Sequence, residues 1–121
     1  MSAQRMGRTG RPMERWGAEA FDGDRLRRTG TWAVAFLADW CPFCRSFAPK
    51  FAALETGGVA KLAVADVTDE ESPLWDRFEV KVVPTVIVFR DGAPASRHNG
   101  RLARGLGERD LAAISAEIAS A

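Results

Sequence analysis

Trp40-Cys41-Pro42-Phe43-Cys44 holds both cysteines of the chain, with two residues between them. Thiols at that spacing can close into a small disulfide ring and reopen, which is the chemistry of dithiol exchange. The nucleophile in that chemistry is the thiolate, so one sulfur must sit where negative charge is favoured. The residues around the pair supply such a place. Trp32 to Ala38 is a continuous apolar run, and Pro42 opens a helix-forming stretch directly after Cys41. Cys41 is therefore expected at a helix N-terminus, where unpaired backbone N–H groups and the positive end of the helix dipole stabilise an anion.

Metal binding is the competing use of two cysteines. Zinc requires four ligands, and the only other soft donor is the distant His98, so one subunit cannot complete the set. A cluster shared between two chains stays open as an alternative for a Cys-Pro-Phe-Cys pair. His98 falls near the end of a hairpin and reads as a surface residue. Asp66, Asp69, Glu70 and Glu71 lack the glycine and alternate spacing of a calcium loop. No bound cofactor or metal is expected.

The elements that must position the thiols follow from apolar periodicity and turn residues. Trp32 to Ala38 reads as a strand buried on both faces. From Pro42 onward Phe43, Phe47, Phe51 and Leu54 recur at helical spacing, with Gly57-Gly58 ending the pattern. Pro42 suits a first helical turn, whereas Pro49 lies inside the helix and is expected to kink it. Lys61 to Val67 reads as a second central strand. Glu70 to Phe78 is expected to be a short helix around Trp75, opened by Ser72-Pro73. An apolar run from Val82 to Phe89 has Pro84 at its mouth, and Arg90-Asp91-Gly92 signals a hairpin into Ala93 to His98. Glu108 to Ile118 is amphipathic, with Leu111, Ile114 and Ile118 on one side. Before the first central strand, Trp16 to Phe21 reads as an edge strand. Asp22 reads as the cap of a short helix reaching Arg28 and stopped by Gly30. The order β-α-β-α-β-α-β-β-α predicts an α/β fold, a central mixed sheet of four to five strands flanked by helices on both faces.

At 121 residues the chain has room for one domain. Residues 1–12 are Arg-rich, punctuated by Gly7, Gly10 and Pro12, and have little to bury. They read as a disordered extension, leaving 13–121 as the domain. With 46% hydrophobic and 27% charged residues the composition is that of a soluble globular protein. A net charge of +1 gives no reason to expect nucleic acid or an acidic membrane as partner. No stretch approaches the roughly 18 apolar residues of a membrane span, and the N-terminus lacks the apolar core of a secretory signal. The expectation is a cytoplasmic monomer, and in a reducing compartment a catalytic cysteine pair is favoured over a structural staple.

Trp-Cys-x-x-Cys after a strand, Pro49 in the following helix and Val83-Pro84-Thr85 before another strand together resemble the thioredoxin family. Phe36, Ala38, Phe89, Gly92 and Gly100 also stand at the family's places, and the likeness runs from about Phe21 to the C-terminus. The resemblance implies the thioredoxin fold and a protein-disulfide oxidoreductase. Cys41 would be the exposed attacking thiol, Cys44 the buried resolving thiol, and Pro84 a cis-proline facing them. The backbone of Val83 would pair with an extended substrate chain, a form of strand addition. Trp40, Pro42, Phe43, Val83, Pro84 and Gly100 would form the groove. Disulfide-containing proteins would be the substrates, with electrons supplied by a thioredoxin reductase or a small thiol.

Two departures bear on mechanism. Pro-Phe stands between the cysteines, where thioredoxins proper carry Gly-Pro and glutaredoxins carry Pro-Tyr or Pro-Phe. Glutaredoxin-like, oxidase or isomerase exchange thus stays open, as does an interaction module or co-chaperone that binds chains without turnover. Ala35 occupies the place, six residues before Cys41, where thioredoxins usually carry a buried aspartate that moves the resolving thiol's proton. Asp66 stands where they often carry a lysine. It is expected to lie in an apolar setting, with a raised pKa, and to take over that proton transfer. The alternative for Asp66 is a solvated strand end.

Overall fold

A run as apolar as Thr31–Leu37 can hide both faces only in the middle of a sheet, and that is where it lies. The computed structural model describes residues 13–119 apart from 55, 57, 59 and 103. The first elements are β1 (Glu14–Trp16), a 3-10 turn (Ala18–Ala20), β2 (Phe21–Asp22) and β3 (Arg25–Leu26). They lead into the central strand β4 (Thr31–Leu37), followed by α1 (Pro42–Ala52), β5 (Lys61–Asp66) and α2 (Leu74–Arg77). The chain ends in β6 (Thr85–Arg90), β7 (Ala93–His98) and α3 (Glu108–Ala119). The main sheet has five strands in the order β1-β5-β4-β6-β7. β4 pairs parallel with β5 and antiparallel with β6, so the sheet is mixed and the fold is α/β, as expected.

The order of strands places chemistry at one end of β4. Its C-terminal residues run into Ala38-Asp39-Trp40, which deliver Cys41 to the start of α1. Beneath lies a core in which Phe36, Phe89, Phe51, Leu74 and Ile114 are fully buried. Phe21, Phe36, Phe78 and Phe89 form one aromatic cluster, with ring centroids 5.0 Å apart for Phe21–Phe78 and 5.3 Å for Phe36–Phe78. Such tilted and edge-on pairs add to the energy of burial itself.

Asp91 and Gly92 form the two-residue loop between β6 and β7, with φ of 50° and 91°. Positive φ at both central residues is what a twisted hairpin requires, and it explains the Asp-Gly pair. Gly92 also admits no side chain, since a Cβ would lie 2.9 Å from the Leu26 carbonyl oxygen.

Four expectations are corrected. Asp22 to Arg28 is a hairpin, not a helix: Phe21 pairs with Leu26 across Gly23-Asp24, both apolar side chains are buried, and the Leu26 N–H donates to the Gly92 carbonyl at 2.9 Å. Trp16 to Phe21 is not one strand, because β1 ends at Trp16 and a 3-10 turn follows, with the Gly17 N–H donating to the Glu19 carboxylate at 3.0 Å. α1 stops at Ala52, short of the expected glycines, as the Leu54 N–H turns to the Phe51 carbonyl in a tightened last turn. α2 is only Leu74–Arg77, because the Asp69 and Ser72 side chains accept from the N–H groups of Glu71 and Leu74 and bind 69–73 into turns. The expected N-terminal extension, 1–12, lies outside the described residues.

Candidate active site

Cys41 is the N-cap of α1, and its Sγ accepts from the Cys44 N–H at 3.2 Å. Pro42 takes the first helical position, where its missing N–H costs no hydrogen bond. The sulfur thus faces the open N–H end of an 11-residue helix, where a negative charge is stabilised. On its other side the thiol donates to the Val83 carbonyl at 3.5 Å. The Val83–Pro84 peptide is cis, the form that the family resemblance implied, and the Val83 carbonyl faces Cys41.

Both cysteines are reduced and neither is exposed: Cys41 is 5% and Cys44 2% accessible. For Cys41 this corrects the expectation of an exposed thiol. The Val83-Pro84 loop covers it from one side and its own motif from the other, so it is reached through a cleft. Cys44 lies deeper. Burial, and then the Cys41 sulfur beside it, push its thiol from 9.0 up to about 12. The two sulfurs therefore differ in kind, one at an anion-stabilising helix end and at the floor of a cleft, the other held neutral in the core. That asymmetry suits an attacking thiol and a resolving thiol.

Of the residues expected in the groove, Trp40, Pro42, Phe43 and Val83 line one cleft with Cys41, and Gly100 lines the neighbouring pocket. Trp40 and Phe43 are 48% and 42% exposed at the mouth, and Pro42, Val83 and Cys41 line the same cleft. Gly100 lies against Pro84 so closely that a Cβ would be 2.3 Å from the Pro84 carbonyl oxygen. The Gly100 N–H donates to the Thr85 hydroxyl at 3.3 Å, and that hydroxyl donates to the Val82 carbonyl at 2.6 Å. Thr85, the only buried polar residue among the described residues, therefore ties the strand end to the loop that faces the cysteines.

Asp66 departs from expectation. Burial pushes its carboxyl up, but hydrogen bonds from the Thr68 hydroxyl and N–H and from Arg15 outweigh it and hold the group below its usual 3.8. The Arg15 guanidinium lies 3.2 Å from Asp66 and 2.9 Å from Asp39, an ion-paired setting rather than an apolar one. Asp66 lines a separate pocket with Arg15, Asp39 and Thr68, not the cleft that holds Cys41. The bracket has structural meaning: Thr68 accepts from the Asp39 N–H at 2.9 Å, and Arg45 donates to the Asp39 carbonyl at 2.9 Å. β1 and β5 thereby brace the turn that delivers Cys41.

Three residues of the cleft carry no sequence signal of function: Trp75, Lys81 and Leu102. In the sequence Trp75 marks only the middle of an expected short helix, and the other two sit in segments without motif. Among the described residues no group of three or more His, Cys, Asp and Glu side chains is placed to hold a metal ion.

The thioredoxin family model matches residues 14–113, nearly the whole of the described chain. This chain belongs to the thioredoxin family. A thioredoxin of Rhodospirillum rubrum is 34% identical over 84 residues, covering 69% of this chain and 81% of that protein. Protein disulfide-isomerase 1 of Caenorhabditis elegans is 38% identical over 73 residues, 56% of this chain but only 15% of that longer protein. Among solved structures, a thioredoxin of Malassezia sympodialis superposes with a TM-score of 0.67 at 19% identity, over 89% of this chain and 91% of that one. Mitochondrial thioredoxin 3 of Saccharomyces cerevisiae, in its oxidised form, gives 0.59 at 21% identity, over 78% and 82% of the two chains. The fold is the thioredoxin fold, the family supports thiol–disulfide oxidoreductase chemistry in general, and Cys41 and Cys44 lie close together as a Cys-x-x-Cys motif requires.

Proposed function

We propose that this thioredoxin-family protein reduces disulfides in other proteins. The observation that carries the reading is the inequality of the two thiols: Cys41 caps the helix at a cleft, while burial pushes the Cys44 thiol up to about 12. Cys41, as thiolate, attacks a substrate disulfide, forms a mixed disulfide and releases one substrate thiolate. Cys44 then gives up its proton and attacks Cys41, which leaves the substrate's second sulfur as a thiolate and the Cys41–Cys44 bond oxidised. A reductase or a small thiol returns the two electrons, and a reducing compartment such as the cytoplasm suits the cycle.

Insulin reduction tests it. The wild-type protein precipitates the insulin B chain in the presence of a dithiol, and Cys41→Ser does not. Equal rates for the two would overturn the enzymatic reading in favour of a binding module.

A second reading, oxidation or isomerisation, is favoured by Pro42-Phe43 between the cysteines and by the likeness to protein disulfide-isomerases. The reduction potential separates them. A value near the roughly −270 mV of thioredoxin supports a reductant, and one between roughly −200 and −120 mV supports isomerase or oxidase work.

A further inference from the structure

Trp75 sits on the four-residue helix α2, yet its ring lies beside the catalytic motif rather than in the core. It is nearly parallel to Trp40, with centroids 6.3 Å apart and an interplanar angle of 11°. One loop holds both rings: Trp40 donates its indole N–H to the Thr68 carbonyl at 2.9 Å, and Trp75 donates to the Asp69 carbonyl at 3.2 Å. With their polar edges satisfied there, the two indoles present hydrocarbon to the cleft.

Leu102 also lines this cleft, from a segment in which Arg101 and Gly105 form a bridge. Its ends exchange backbone hydrogen bonds of 3.0 and 2.7 Å, and Leu102 at its tip is 83% exposed. Gly105 rests on Phe43 so closely that a Cβ would lie 3.0 Å from the Phe43 Cβ. A lone exposed leucine requires no explanation, but one that joins exposed Trp40 and Phe43 around a reactive thiol does.

The cleft is about 280 Å³ and includes Cys41 at its floor. That is below the roughly 300–1,000 Å³ of small-molecule pockets and of the order of one large side chain. It shares Lys81 and Val82 with a neighbouring pocket that runs on to Gly100, so an occupant continues along the surface as an extended chain. Among the described residues no carboxylate pairs with Lys81, while the Arg97 guanidinium beside it donates to the Phe78 and Glu79 carbonyls. The charged residues that line this path are Lys81, Arg97 and one carboxylate, Glu79, so its net charge is positive.

We propose that Trp75 determines substrate specificity, forming with Trp40 and Leu102 a seat for a large apolar side chain next to the substrate's reacting cysteine, with an acidic residue of that substrate beyond it facing Lys81. The inference rests on the disulfide-reductase reading and names the kind of polypeptide that site takes.

The test uses three short peptides, Cys-Trp-Glu, Cys-Ala-Glu and Cys-Trp-Lys, each joined through its cysteine to the coloured thiol thionitrobenzoate. The Cys41 sulfur bonds to the peptide sulfur, the peptide–thionitrobenzoate S–S bond breaks, and the aromatic thiolate leaves with the electron pair and is followed by its absorbance. The wild-type protein should favour Trp over Ala in kcat/KM by about tenfold, equivalent to 1.4 kcal/mol. Trp75→Ala should bring that ratio below about threefold and Trp75→Phe should restore it. Lys81→Glu should reverse a preference of about threefold for Glu over Lys, the scale of an exposed ion pair. Should Trp75→Ala fail to fold, Leu102→Ser, at an exposed site, is the second variant and should lower the same ratio. Equal use of the Trp and Ala peptides by the wild-type protein, or an unchanged ratio in the variants, overturns the inference. Failure to reduce any peptide, with insulin also left intact, instead overturns the reductase reading itself.

Discussion

Replacing Gly100 with alanine should damage the site more than the fold. The backbone at Gly100 is not in the left-handed region, so alanine is conformationally acceptable there and only its methyl group matters. That methyl would stand 2.3 Å from the Pro84 carbonyl oxygen and 3.3 Å from its carbonyl carbon. Ordinary contact needs about 3.4 Å, so the two segments must separate by about an ångström. Neither partner is a flexible side-chain end, because both are backbone. The Gly100 N–H, the Thr85 hydroxyl and the Val82 carbonyl form one hydrogen-bonded chain, so the separation strains the loop that presents Val83 to Cys41. Overpacking of this size costs about 1–3 kcal/mol of stability, a fall in Tm of the order of 5–10 °C. A displacement of about an ångström beside reacting groups can cost roughly a hundredfold in rate. Insulin reduction at a temperature well below the variant's Tm, paired with thermal unfolding by circular dichroism, reads both effects. A variant with wild-type Tm and wild-type turnover would refute the steric reasoning. A variant that loses stability but keeps its turnover would show that the Gly100–Pro84 contact supports the fold and not the groove.

Three further outcomes follow from the same geometry. Phe89→Ala removes a fully buried ring that packs on Phe21 and Phe78, and should cost about 3–5 kcal/mol in chemical denaturation. Cys44→Ser should arrest the cycle after the first exchange, with a mixed disulfide to Cys41 accumulating and visible by mass spectrometry; rapid turnover without the adduct would show that Cys44 does not resolve it. Because burial raises the Cys44 thiol from 9.0 to about 12 in the folded protein, the folded state binds the extra proton in alkali. Its contribution to stability is complete below about pH 9 and is lost as pH rises towards 12, so denaturation midpoints should fall over that range for the wild-type protein and fall less for Cys44→Ala.

What could be read in the sequence was what local residues decide. The central strands are legible because their apolar runs have no other use, and Asp91-Gly92 is legible because few other pairs accept two positive φ values. The helix after Cys41 announces itself through Pro42 and the spacing of Phe47 and Phe51. The hairpin Phe21–Leu26 was not legible, since what holds Leu26 is the Gly92 carbonyl, supplied from far downstream. Arg15, Asp39 and the Asp66–Thr68 stretch belong to three separate segments, and the pairing of β5 with both β1 and β4 brings them together. The cleft shows the same division. Its cysteines, Trp40 and Val83 were evident from the motifs, whereas Trp75 and Leu102 acquire meaning only from the fold, which holds the Trp75 indole on the Asp69 carbonyl and brings Leu102 to the same cleft.

The resolving step raises the question of where the Cys44 proton goes. A thiol pushed up to about 12 must lose that proton before it can attack the mixed disulfide. Ala35 is fully buried and its methyl group offers no acceptor. Asp66 is committed to Arg15 and Thr68 and lies on another pocket. Thr85 is the only buried polar or charged residue among those described, and its hydroxyl already donates to the Val82 carbonyl. The acceptors that remain are solvent and the substrate thiolate released in the first exchange. Resolution should therefore accelerate about tenfold per pH unit from 6 to 9 with no inflection from an internal base, and should respond to buffer concentration. Stopped-flow measurement of thiolate release from a preformed mixed disulfide reads this directly. A plateau above an apparent pKa near 7, abolished by Asp66→Asn, would refute the solvent route and return Asp66 to the proton path. A rate that keeps climbing in both proteins would leave Asp66 as a brace for the Cys41 turn.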